Sequence, residues 1–152
     1  MLAAVPVFAQ EQTEKAAAAY QQAEPAILKA ADYLLNSKPV ETDVERSAYS
    51  ALLIEWMSGT PDYNFPIDQS ITDLTQDDTQ LLASMMAAMA KYSLENKSIA
   101  QKDPDAVKLQ AIKLYLHYCA NPKYDIKASG TLQKFIQAEQ KGKLEALLQS
   151  GK

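Results

Sequence analysis

At 152 residues, 47% apolar and 22% charged, the chain can bury a core on its own, and its single cysteine excludes a disulfide framework. A net charge of −4 argues against a general nucleic-acid binder. No apolar run reaches the ~18 residues that a membrane-spanning helix needs.

The charge is unevenly placed. Residues 1–90 hold four basic and thirteen acidic residues, net −9, whereas residues 91–152 hold eleven lysines and six acidic residues, net +5. Such asymmetry is compatible with a basic surface for an anionic partner. Complementary packing of the two halves, with solvated helix faces, is the simpler expectation. Only four glycines, against abundant Ala, Leu, Gln, Lys and Glu, favour helix.

In chain order, Leu2 to Ala9 is a short apolar run ending Val7-Phe8-Ala9, small residues of the kind a signal peptidase reads, and polar Gln10-Glu11-Gln12 follows. Residues 1–9 are therefore expected to be the remnant of a signal peptide, with a periplasmic or secreted mature chain starting near Gln10. Glu11 to Gln22 is Ala-rich and helical in character. Pro25 suits the first turn of a new helix, continued by Ile27, Ala30, Ala31, Leu34 and Leu35. Thr42-Asp43-Val44-Glu45 reads as a capping box. The helix it opens runs through Leu53, Trp56 and Met57 to Gly59, a suitable left-handed cap. Asp62 to Ile67 is a loop carrying Tyr63 and Phe65 between two prolines.

Thr75 with Asp78 repeats the capping pattern ahead of a central helix over 76–95. Leu81, Leu82, Met85, Met86, Met89 and Tyr92 form its apolar face, and Gln80, Ser84, Lys91 and Glu95 a narrow polar stripe. Asp103-Pro104 starts a further helix that ends before Asn121-Pro122. A last helix begins near Thr131, and Gly142 is placed to divide it. The segments 56–65 and 117–126 resemble each other at an interval of sixty-one residues, each with Pro, then Tyr two residues on. The fold expected is all-α: five to six antiparallel helices, as stacked helical hairpins or an irregular bundle around the helix 76–95, with residues 10–152 as one helical domain.

Few residues suggest chemistry. His117 and Cys119 are both possible metal ligands, but two residues apart on a helix their side chains point about 200° apart. Met57, Met85, Met86 and Met89 could supply soft donors to copper, yet methionine at helical spacing beside leucine is more often core filling. No Gly-x-Ser-x-Gly elbow, glycine-rich phosphate loop or His-Glu-x-x-His occurs. Asp77-Asp78 is explained by helix capping. The exposed candidates are Tyr63, Phe65 and Tyr124, aromatics in post-helical loops of the kind that anchor a partner, although an apolar residue past a helix cap more often tucks back to close the end of its helix pair.

The Phe8-Ala9-Gln10 junction, the helix end Trp56-Met57-Ser58-Gly59-Thr60-Pro61-Asp62-Tyr63 and the central Ala87-Ala88-Met89-Ala90-Lys91-Tyr92-Ser93-Leu94-Glu95-Asn96-Lys97 together resemble small exported all-helical proteins of unknown function from Gram-negative bacteria. The resemblance spans the chain and implies compartment and fold, with no site residues. The expected function is that of a non-catalytic, exported protein–protein interaction module. It needs no cofactor and holds an envelope protein or peptide through Tyr63, Phe65 and Tyr124. The alternative is a carrier of a small ligand or metal (copper, haem or lipid) with a Met-lined pocket.

Overall fold

The computed structural model describes residues 7–150, with side chains from Thr13 onward. Among these residues the chain is all-α, with no strand. Its helices are α1 (Val7–Leu35), α2 (Val44–Gly59), α3 (Gln69–Leu74), α4 (Thr79–Glu95), α5 (Lys97–Lys102), α6 (Pro104–Ala120), α7 (Gly130–Gln140) and α8 (Leu144–Ser150), with one 3-10 turn at Pro122–Tyr124. Of the expected leader remnant, residues 1–6 lie outside the described residues, and 7–9 open α1.

Eight helices stand where five to six were expected: one expected boundary is lost and three elements are gained. Pro25 does not start a new helix but lies inside α1. Its missing N–H falls on the exposed side of the helix, while Ile27, Ala30, Ala31 and Leu34 are fully buried on the other. Burial of that face outweighs the ~3 kcal/mol that an interior proline costs. Asp68 caps a short α3 by accepting from the Ser70 and Ile71 amides at 3.1 and 3.3 Å. Asn96 ends α4, and a separate six-residue turn, α5, fills the space before Asp103. Gly142, at φ +72°, divides α7 from α8 as the sequence suggests.

The caps also move. Asp43, not Thr42, is the N-cap of α2, accepting from the Arg46 amide at 3.1 Å. Asp78, not Thr75, caps α4, so the central helix begins at Thr79 rather than 76. Gln76 and Asp77 precede it with φ of 57° and 55°, a left-handed pair that no helix can include. Gln76 is held there by its side chain, which donates to the Lys127 carbonyl at 3.2 Å and accepts from the Ser129 amide. Gly59 is followed by Thr60 as the C-cap, with φ −62°, so no left-handed cap forms.

Helix α4 is the centre of the packing, touching α1, α2, α3, α5 and α6. Met85, Ala87, Ala88, Met89 and Ala90 are wholly enclosed. Its polar stripe divides: Lys91 and Glu95 reach solvent, while the other half faces inward. Gln80 and Ser84 turn toward Arg46 of α2, which is itself fully buried. Five bonds satisfy the five guanidinium N–H groups: to Gln80 Oε1 (3.0 Å), the Gln80 carbonyl (2.8 Å), Ser84 Oγ (2.6 Å), the Leu34 carbonyl (2.9 Å) and Ser37 Oγ (2.9 Å). None of these partners is a carboxylate. Burial lowers the guanidinium pKa, and nearby Tyr118 and Asp43 oppose that shift. The Tyr118 hydroxyl donates to the Ser37 carbonyl at 2.7 Å, so this polar knot locks α1, α2, α4 and α6 in one register. No helix among the described residues is long and apolar enough to cross a membrane.

Candidate functional site

The site builds from the end of α2. Trp56 is buried and donates its indole N–H to the Tyr20 carbonyl of α1 at 3.0 Å. Beyond the helix, the chain doubles back so that Tyr63 and Phe65 lay their rings beside the indole, with centroids at 5.8 and 5.9 Å and 6.3 Å from each other. These separations suit tilted aromatic pairs. Between this cluster and α4 lies an open recess of about 360 Å³, lined by Met57, Tyr63, Phe65, Ile67 and Met86, with Ser58, Thr60 and Asn64 around it.

Two of the three aromatics expected as surface anchors are buried. Tyr63 is 7% exposed and Tyr124 is 6% exposed, while Phe65 is half-buried. Each tyrosine follows a helix end and folds back over the open core there. Tyr124 stacks on Tyr118 at 4.7 Å, much as Tyr63 covers Trp56. Tyr63 and Phe65 therefore share a site, and Tyr124 does not. Trp56 is tied to Tyr20 within α1 and Tyr118 to Ser37 just beyond its end at Leu35, so about 22 Å of helix separates the two. Ile67, at 49% exposure, Ser58 and Asn64 are the accessible members of the recess, and sequence reasoning did not single them out. It grouped Met57 with Met85, Met86 and Met89 as soft donors, but did not show which of the α4 methionines meets Met57. No spacing rule links residues on different helices.

The recess is mixed in chemistry: Met57, Phe65, Ile67 and Met86 are apolar, but Ser58, Thr60, Tyr63 and Asn64 make its open surface more polar than apolar, with no charged side chain among them. Its one titratable lining group is Tyr63, whose hydroxyl is pushed up to about 12 by burial and then by the charges of Glu24 and Asp62, so it is neutral at ordinary pH. The thioethers divide. Met85 and Met89 are fully enclosed as filling, but Met86, at 9% exposure, reaches the recess with Met57.

His117 and Cys119 point apart as the helix geometry requires. His117 is exposed, with Nε2 3.4 Å from Glu139 Oε1, whereas Cys119 is buried and burial pushes its thiol up to about 12, against the opposing hydrogen bond with Tyr115. Among the described residues no group of three or more His, Cys, Asp or Glu side chains is placed to hold a metal ion.

No family model matches the chain, and comparison with curated proteins and with solved structures likewise returned no match. The functional reading rests on the recess itself.

Proposed function

We propose that the chain is a non-catalytic interaction module of an extracytoplasmic compartment, which holds an apolar segment of a protein or peptide in the Tyr63–Phe65 recess. The observation that carries this reading is the convergence of Phe65, Ile67, Met57 and Met86 on one open hollow rimmed by neutral polar groups. Flexible thioethers beside rigid rings make an adaptable apolar surface, suited to accept a bulky side chain. The export component rests on the Leu2–Ala9 pattern alone.

The test is site-specific photo-crosslinking from position 67 in cells that express the chain, with fractionation of the envelope. A discrete adduct in the periplasmic or secreted fraction, lost in a Phe65→Asp variant, is the expected result. Diffuse labelling, or an adduct indifferent to Phe65→Asp, counts against the recess.

A second reading has its own support, since Met57 and Met86 line the same hollow and thioethers are soft donors. As a copper carrier the chain would bind Cu(I) in anaerobic titration with a competing chelator, and Met57→Leu with Met86→Leu would abolish it. No protection of the chelated metal dismisses this alternative.

A further inference from the structure

A second concavity lies between α1 and α2. It shares no lining residue with the Tyr63–Phe65 recess, so a role for it stands or falls separately from that of the recess. It is a groove of about 370 Å³. One wall is the α1 strip Ala16, Ala19 and Ala23, and the other is Leu52, Glu55 and Trp56 of α2. The alanines recur at i, i+3 and i+7 and open space on this wall, which Tyr20 and Ile27 of α1 also line.

The strip on α2 continues past the groove. At 100° per residue Val44, Glu45, Ala48, Leu52 and Glu55 fall within about 100° of one another, and all are exposed. Val44 is 81% exposed and Leu52 is 37% exposed, large apolar groups that this fold leaves uncovered. The charge on this face has one sign. Glu45 and Glu55 are the exposed ionic groups of α2, because its single basic residue, Arg46, is turned wholly inward to the core. No lysine or arginine lines the groove. Lys15, four residues before Ala19, lies about 40° from it around α1 and is exposed at the end of the alanine strip, so the single-sign charge belongs to the α2 wall.

We propose that the α1/α2 groove docks an amphipathic helix of a cationic partner, which lays apolar residues at i, i+3, i+4 and i+7 against Ala16–Ala23 and Leu52 and sets lysine or arginine against Glu45 and Glu55. The small floor fits helix-in-groove recognition. The acidic flank selects the sign of the partner's charge and sets its register.

Trp56 is the chain's single tryptophan and lines this groove, so its emission reports occupancy. The full chain is titrated with an 18-residue Leu/Lys amphipathic peptide and, in parallel, with a Leu/Glu peptide of the same apolar pattern. A saturable change is expected with Leu/Lys only. Its affinity falls at least tenfold in Ala19→Arg and in Glu55→Lys, weakens with added salt, and persists in Ile67→Asp, which alters the recess and leaves the groove intact. Ala19 is exposed and arginine is a good helix former, so the variant should keep its far-UV dichroism. Leu52→Lys, on the opposite wall, serves as the second test of the same groove. No saturable response overturns the proposal, as does an equal response to Leu/Glu, or binding undiminished by both wall variants. A chain that sediments as a dimer until Ala19→Arg separates it places a second copy in the groove, and that too overturns the cationic partner.

Discussion

Gly59 leaves the space that Tyr20 occupies: a Cβ at position 59 would lie 1.8 Å from the tyrosine hydroxyl and 2.4 Å from its ring carbon. The requirement for glycine here is steric, since its φ is not positive. Gly59→Ala must turn aside the far end of a half-buried side chain, so it should cost no more than about 1 kcal/mol, set against the better helix propensity of alanine. In a Tyr20→Ala background the same change should become neutral or slightly stabilising. Urea unfolding of the four proteins in this cycle decides it. Equal effects in both backgrounds would mean the contact is not felt.

Arg46 makes the corresponding test in the core. Lysine cannot reproduce five planar donors and brings a strongly hydrated ammonium into a site with no carboxylate partner. Arg46→Lys should lose about 2–3 kcal/mol, from the acceptors left without a donor and the poorer burial of the charge. The denaturation midpoint should fall with the slope unchanged. A loss within experimental error would assign the knot no part in stability.

The left-handed pair before α4 separates two roles at adjacent residues. Asp77 is exposed with φ 55°, so Asp77→Gly should stabilise by roughly 1 kcal/mol as backbone strain is relieved. Gln76→Gly relieves similar strain but removes the two bonds that reach Lys127 and Ser129, and it should be the less stable variant of the two. Thermal unfolding that ranks them in the reverse order refutes this assignment.

Asp68 ties loop to helix and sets an acid dependence. Burial would raise its pKa, but the Lys108 ammonium, the Ser70 hydroxyl and the Ile71 amide outweigh it and hold the carboxyl at about 2. Its folded pKa is thus depressed, so its contribution is present above the unfolded value of ~3.9 and is lost as pH falls through about 2. Stability should decline between roughly pH 4 and pH 2. Asp68→Asn should flatten that part of the profile, modestly, because the pair is partly solvated. An unchanged slope would show that other carboxylates dominate.

Much of this protein could be read before any coordinates. The periodicity of Leu81 to Tyr92 announced a helix that must be covered on most sides, and α4 is that helix. Asp103-Pro104 and Asn121-Pro122 marked both ends of α6 because capping and proline geometry are local. The same local rules misjudged Pro25, since what holds α1 together there is burial against α2 and α4. They also placed two caps one and three residues early, where side chains compete for the same amides. For the site, Tyr63 and Phe65 were found as loop aromatics that could fold back on their helix end, as they do over Trp56, but their meeting with Met86 was not. Contacts between residues more than twenty positions apart leave no periodic trace.

Sequence alone determined the helical class, the position of the central helix and the separation of His117 from Cys119, because each follows from a repeat of about 3.6 residues and from caps that act within one turn. Tertiary structure alone decided that Arg46 points inward, that Gly59 faces the Tyr20 ring, and that α1 and α2 leave an apolar groove with Glu55 on its wall. Those outcomes depend on how helices distant in sequence cross one another, and packing across such crossings is fixed by shape and burial rather than by any neighbour along the chain.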